Sequence, residues 1–319
     1  MKNNSKICVI GAGKWGLNHI KTLHELNALG GVVDRDKSVL KLISKKYSYC
    51  ETYDELSGII IEKFEGFVIA TEPASHFELA KQVILNKKPV LVEKPLTLDY
   101  ESSKILCDLA AKMNVNLMVG HVLLFHPAFQ KMKNIISNGK IGEIQYIYSN
   151  RLNLGTFRTN ENVFWSFAPH DIALFNYFFN QKPVSINSAG IDILQNGIHD
   201  SSITTFNYKG KKMGHIFVSW LHPFKEHRFV IVGSNGMLRF EDSIDKKPLY
   251  FYDKKAEFID SVPNPVNGGV TNIEYGDEKA LTNELKYFIS KLNGQKIEIS
   301  NGFSGLEVVK ILEEASKNL

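Results

Sequence analysis

Cysteine is scarce in this chain: of 319 residues only Cys8, Cys50 and Cys107 carry a thiol. Their odd number and wide spacing, with Cys8 and Cys107 inside apolar patterns, argue against a disulfide framework or a metal centre and point to a reducing compartment. No apolar run approaches the ~18 residues of a membrane span. The opening Met1-Lys2-Asn3-Asn4-Ser5-Lys6 lacks the apolar core of a signal peptide, so a soluble cytoplasmic protein without membrane contact is expected. Charge of one sign is also missing. The 38 basic and 34 acidic residues leave a net +4, and the lysine pairs (Lys45-Lys46, Lys87-Lys88, Lys211-Lys212, Lys246-Lys247, Lys254-Lys255) are too short for a nucleic-acid surface. Repeats and low-complexity tracts are absent. What is there, 44% hydrophobic and 23% charged residues, is ordinary globular composition over a length that implies two domains.

From Lys6 to about Gly120, short β-rich runs (7–10, 31–33, 66–70, 90–92 and 117–119) alternate with stretches of helical period (15–26, 38–47, 75–86 and 100–113). That alternation predicts βαβ units and a doubly wound parallel sheet of Rossmann type. Pro73 and Asp99 are placed as helix starts. After Gly120 the texture changes. His126-Pro127 opens a helical segment to Asn138, and β-rich runs then follow one another with tight turns such as Lys209-Gly210 and Ser234-Asn235-Gly236. Consecutive strands with short turns predict an open, largely antiparallel sheet, and with helices over 171–179, 278–292 and 305–317 this half is α+β. The boundary is expected between 123 and 124, giving a nucleotide-binding domain over 1–123 and a substrate-binding and oligomerisation domain over 124–319.

Gly11-Ala12-Gly13-Lys14-Trp15-Gly16 follows a strand and opens a helix, the context that gives a G-x-G-x-x-G its meaning. The first glycine permits the turn, the second lets a pyrophosphate approach the backbone, and the third lets helix and strand pack closely. The helix start offers its N–H groups, with Lys14 and Trp15 beside them, to phosphate. Asp34 ends the next strand at the offset where a carboxylate takes the adenosine ribose hydroxyls. NAD is therefore expected over NADP, even with Arg35 adjacent. Thr71-Glu72-Pro73, His76 and Gly120-His121 follow later strands, so Thr71, Pro73, His76 and His121 are cofactor-side candidates. For His76 the competing reading is a partly exposed helix histidine.

Glu93-Lys94-Pro95 ends the apolar run Pro89-Val90-Leu91-Val92. Pro95 has no N–H and stops the strand, holding Glu93 and Lys94 at the carboxyl edge where ligands bind open α/β sheets. In the second half, Ala168-Pro169-His170-Asp171 places an imidazole and a carboxylate at a helix entrance. A neutral imidazole and a lysine across a crevice suit removal of an alcohol proton as hydride leaves. Asp171 is read first as a helix cap.

With the glycine fingerprint, Glu93-Lys94-Pro95 and His170 in this order, the chain resembles the Gfo/Idh/MocA oxidoreductase family over its full length. The resemblance implies a Rossmann domain and a second domain whose open sheet covers the nicotinamide pocket and often mediates oligomers. It implies Lys94 as the residue touching substrate and nicotinamide and His170 as acid/base. Many members carry an Asp four residues before this histidine; here that position is Ser166. The orienting partner of His170 is then Asp171 or the substrate, or Lys94 takes a larger share of proton transfer.

Arg151-Leu152-Asn153-Leu154-Gly155, Arg158, Glu161-Asn162 and Trp165 to Asp171 look like the UDP-N-acetylglucosamine 3-dehydrogenase branch of that family. This implies a nucleotide sugar oxidised to its 3-keto form, with a pyridoxal phosphate aminotransferase as functional partner and lipid A or a surface glycan as destination. Arg151 and Arg158 are candidate ligands of the diphosphate, Asn153 of a hydroxyl or acetamido group, and Trp165, His170, Asp171 and Lys94 complete the substrate set. The alternatives are another sugar or an inositol-type cyclitol as substrate, an NAD-dependent glycosidase, or a silent NAD-binding regulator. A dimer or tetramer is expected.

Overall fold

The computed structural model describes residues 6–317 and 319. The chain divides into two compact units, one built from the residues up to Phe125 together with Glu278–Lys310, the other from His126–Asp277 together with Ile311–Leu319. The chain leaves the first unit between Phe125 and His126, two residues past the boundary expected at 123/124, and its return at Glu278 is something a single boundary does not provide for.

The first unit carries β1 (Ile7–Ile10), α1 (Lys14–Glu25), β2 (Leu29–Val33), α2 (Lys37–Lys46), β3 (Glu51–Tyr53), α3 (Gly58–Glu62), β4 (Gly66–Ile69), α4 (His76–Leu85), β5 (Val90–Glu93), α5 (Tyr100–Met113) and β6 (Leu117–Gly120). Its sheet runs β3-β2-β1-β4-β5-β6, with every neighbour pair parallel. β1, β4, β5 and β6 are buried along their whole length, as expected of strands covered on both faces. Asp99 caps α5, accepting from Ser102 N at 2.7 Å, whereas Pro73 opens a short 3-10 turn, Pro73–Ser75, ahead of α4. The returning segment closes the far edge. Val119 N donates to Ser300 O at 2.8 Å and Ser300 Oγ to Val119 O at 2.6 Å, so β6 has no bare edge there.

The second unit carries α6 (Pro127–Ser137), β7 (Ile144–Leu152), α7 (Val163–Phe167), α8 (Pro169–Phe179), β8 (Ser185–Ile191), β9 (Ser201–Tyr208), β10 (Lys212–Ser219), β11 (Glu226–Gly233), β12 (Met237–Glu241), β13 (Leu249–Ile259) and β14 (Val262–Ile273). α9 (Ala280–Ser290) belongs to the first unit, and α10 (Gly302–Ser316) begins in the first and ends in the second. The eight-stranded sheet runs β14-β13-β12-β11-β7-β10-β9-β8 and is antiparallel except for β7 with β10. One face is packed against helices. Phe175 of α8 stacks edge-on to Phe206 and Phe229 at 5.7 and 5.8 Å, and Gly214 of β10 lacks the Cβ that would meet the Phe175 ring at 2.5 Å. Each such fully buried ring contributes roughly 1.5–3 kcal/mol.

Candidate functional site

The glycine turn joins β1 to α1 with the geometry its sequence predicts. Gly11 has φ +93°, and a Cβ there would lie 2.8 Å from Thr71 Cγ2; a Cβ on Gly16 would lie 2.0 Å from Gly11 O. Gly13 differs from both. A Cβ built on it meets nothing within 4 Å, so its exclusion of a side chain serves open space at the start of α1. Gly13 caps α1 without a side-chain hydrogen bond, the first turn holds no acidic residue, and Lys14 is exposed. Unpaired N–H groups, a positive helix end and a bare backbone fit a pyrophosphate.

Asp34, just past the end of β2, accepts from Ala12 N at 2.6 Å and from Asp36 N at 2.8 Å, one bond per oxygen. Each oxygen keeps a lone pair for a ribose hydroxyl. Arg35 is exposed beside it. Thr71 Oγ1 accepts from Ser75 Oγ at 2.6 Å and, with Pro73, shapes the loop after β4.

Glu93 and His76 stand behind this surface. Glu93 is buried at the end of β5, accepting from Trp15 Nε1 at 2.5 Å, bonding His19 Nε2 at 2.7 Å and taking its neighbour Lys94 N at 3.2 Å. Burial works to raise its carboxyl, but His19, Trp15 and the Lys94 charge outweigh it and hold Glu93 below the usual carboxylate range. His76 is fully buried, with Nδ1 2.9 Å from Pro95 O and Nε2 3.1 Å from Thr71 O. Both are thus braces of the loops that carry Lys94 and Thr71, since their polar atoms are already engaged by protein. His76 is therefore not the partly exposed helix histidine of the competing reading. His121 is sealed beside them. Burial and then Lys94 push its imidazole down to about 4, against the opposing Glu93 charge, so it is neutral at physiological pH. Sequence reasoning missed His19. Its signal was the i, i+4 spacing with Trp15, which puts both donors on one face of α1.

In the second unit the period of β7 sets the chemistry. Ile147, Ser149 and Arg151 alternate onto one face, and from it Ser149 Oγ and Arg151 Nε reach the two oxygens of Asp171, at 2.7 and 2.5 Å. Asp171 is wholly buried in the first turn of α8. It caps nothing. Ala168 is the N-cap of α8, and Asn162 caps α7 through Trp165 N at 3.0 Å, so the expected cap role of Asp171 is replaced by an ion pair. With both oxygens occupied, Asp171 holds Arg151 rather than facing open space. Arg151 keeps its terminal nitrogens without a protein partner among the described residues, while its charge is answered by Asp171.

Arg158 is the freer cation, more than half exposed and only 3.7 Å from Glu161. Asn153 sits in the loop after β7, its N–H bonded to Ser219 O at 3.0 Å. Trp165 donates to Ser316 Oγ at 2.9 Å, which ties α7 to the end of α10. His170 is partly exposed at the head of α8, immediately before the buried Asp171. His227 lies opposite Arg151 in the sheet, and burial followed by the Arg151 charge pushes it down to about 4. Among the described residues no group of three or more His, Cys, Asp or Glu could hold a metal, and no helix is long and apolar enough to cross a membrane.

Two family models match: an oxidoreductase family with an NAD-binding Rossmann fold over residues 5–121, and a GFO/IDH/MocA C-terminal domain over 129–239. An uncharacterized oxidoreductase of Synechocystis is 30% identical over 166 residues, 51% of this chain and 44% of that protein. The UDP-N-acetylglucosamine 3-dehydrogenase of Acidithiobacillus ferrooxidans is 25% identical over 184 residues, 57% of each. The chain is thus matched to about half the length of these curated relatives. A myo-inositol 2-dehydrogenase of Thermotoga maritima is 22% identical over 305 residues, 88% of this chain and 91% of that one. The solved structure of the Acidithiobacillus 3-dehydrogenase superposes with a TM-score of 0.86 at 19% identity, covering 98% of this chain and 97% of the other, which establishes a shared fold.

Proposed function

The chain belongs to the Gfo/Idh/MocA oxidoreductase family, and on that footing we propose that it oxidises a hydroxyl of a nucleotide sugar with NAD, the substrate being UDP-N-acetylglucosamine and the product its 3-keto form. The observation that carries the substrate choice is the ordered frame at the head of α8. Asp171, next to His170 in the chain, locks Arg151 in place, and the loop after β7 holds Arg158 as an exposed cation for a diphosphate. The matched segment of the Acidithiobacillus 3-dehydrogenase points the same way.

NAD would be held by the Gly11–Gly16 turn, the start of α1 and Asp34, and when bound it supplies the hydride acceptor. Asp34 presents a carboxylate where the 2′-phosphate of NADP would lie, and like charges there disfavour that cofactor. Lys94 stands at the end of β5 on a loop braced by Glu93 and His76. We assign it to the reacting hydroxyl, where it takes or steadies the proton. His170 shares that duty as acid/base. Its neighbour Asp171 is engaged by Ser149 and Arg151, and we assign the larger part of the proton transfer to Lys94.

A cytoplasmic homo-oligomer, dimer or tetramer, completes the proposal. The 3-ketone would pass to a pyridoxal phosphate aminotransferase, with the amino sugar destined for lipid A or another surface glycan. Incubation with NAD and UDP-N-acetylglucosamine, with aminotransferase and glutamate drawing off the ketone, should yield a 3-amino product by mass spectrometry; none would remove this substrate. The similarity to myo-inositol 2-dehydrogenase along nearly the whole chain supports a second reading, a cyclitol or free sugar as substrate. Turnover of inositol without turnover of any UDP-sugar would decide for it.

A further inference from the structure

Glu284 of α9 has no part in the chemistry assigned above, yet it is fully sealed from solvent within the first unit. Neither of its carboxyl oxygens meets a hydrogen-bond partner among the described residues. A buried carboxylate so placed is costly, and such a group gives up its charge. Burial first, and then the neighbouring Glu93 charge, push Glu284 well above the usual carboxylate range. α9 packs on α1 and on the 3-10 turn Val122–Phe125, to which Asn283 Nδ2 donates at Phe125 O, 3.3 Å away. The titratable groups brought to this region are His19 from α1, His76 from the start of α4, Glu93 and Lys94 from the end of β5, and His121 from the start of that turn. Glu93 feels His19 and Lys94 directly, and His121 feels both Glu93 and Lys94.

We propose that Glu284 is a positioning residue for Lys94: as a neutral buried dipole beside Glu93 it tempers the field of that carboxylate and so sets how readily the lysine gives up its proton. The effect is exerted through the field, without a direct hydrogen bond. Were Glu284 ionised, two buried anions would hold Lys94 as a fixed ammonium, unsuited to accept a proton from a hydroxyl. Were the position apolar, Glu93 would act on Lys94 unscreened. The inference rests on the reading of Lys94 as the proton-handling group, but its measurements need no substrate.

The pH dependence of Lys94 acylation by a small anhydride, followed by peptide mass spectrometry, gives the titration midpoint of the amine in wild type, E284Q and E284M. Glutamine keeps a neutral dipole and should leave the midpoint within about 0.3 unit; methionine removes it and should raise the midpoint by roughly half a unit or more. A space-filling role would leave both variants at the wild-type midpoint, and an ionised Glu284 would have both lower it; either result overturns the proposal. Carbon-13 NMR of glutamate-labelled wild type, which needs no variant to fold, should show one carboxyl still protonated at pH 7. Its absence also overturns the proposal. Should UDP-sugars prove not to be substrates, these readouts stand unaffected.

Discussion

Asp171 and Arg151 bolt the entrance of α8 to the central strand of the second sheet. The carboxylate is inaccessible, the guanidinium is 16% exposed, and Arg151 Nε lies 2.5 Å from Asp171 Oδ2. Removing one partner strands the other's charge in a poorly solvated place. D171N should therefore lose about 3 kcal/mol or more in urea unfolding, and R151M/D171N much less than the sum of the singles. Additive losses would mean the pair is not coupled.

Lys94 gives the sharpest kinetic expectation. K94A should lower kcat by roughly 10²-fold or more while the Kd for NAD changes by less than about fivefold, because a positioned proton acceptor acts in the transition state. Stopped-flow hydride transfer and fluorescence titration separate the two. Activity within threefold of wild type would remove Lys94 from the reaction.

The glycine turn separates packing from binding. G16A forces a Cβ against Gly11 O at 2.0 Å and should lower Tm sharply, whereas a Cβ on Gly13 meets no protein atom within 4 Å. G13A should therefore keep the Tm of the cofactor-free protein and still lose at least about tenfold in NAD affinity, since the lost space is the phosphate's. Calorimetry reads both quantities.

Cofactor choice is expected to turn on Asp34. D34S, with Arg35 left in place, should raise kcat/KM for NADP and lower it for NAD, each by roughly tenfold, as repulsion of a 2′-phosphate is removed and two ribose hydrogen bonds are lost. An unchanged ratio would place the discriminating group elsewhere.

Acid stability carries the mark of His121. Its folded imidazole titrates at about 4, below the ordinary 6.5, so the unfolded chain takes up a proton first as pH falls. The stabilisation is whole above about pH 6.5 and drains away between 6.5 and 4, up to roughly 3 kcal/mol. H121N should flatten that part of the wild-type stability curve, measured by denaturant unfolding from pH 7 to 4.

The parallel sheet and the glycine turn were legible because each rests on local signals: alternation of apolar strands with helical period, and glycines at fixed offsets. β14 was not. Pro263, Pro265, Gly268 and Gly269 interrupt any strand pattern, and a strand tolerates them here because β14 lies at the sheet's edge, where missing ladder donors cost little. The role of Asp171 was hidden for another reason. A carboxylate at a helix start signals a cap, and only the alternation of β7, brought alongside, shows that Ser149 and Arg151 claim both oxygens. Glu284 sits nearly two hundred residues after Glu93, with nothing in its helix to announce a buried carboxyl group.

The return of Glu278–Lys310 to the first unit makes the segment 126–277 an insertion within a host. Leu285 and Phe288 are fully buried in that host, a Cβ on Gly66 of β4 would meet Leu292, and Ser300 pairs with β6. A fragment cut at 125 would bare this apolar surface and leave the outer strand with an unsatisfied rim, inviting aggregation. An autonomous nucleotide-binding module would have to be spliced instead, Phe125 joined through a short linker to Glu278 and the chain ended near Lys310, since Ile311–Leu319 belong with the guest.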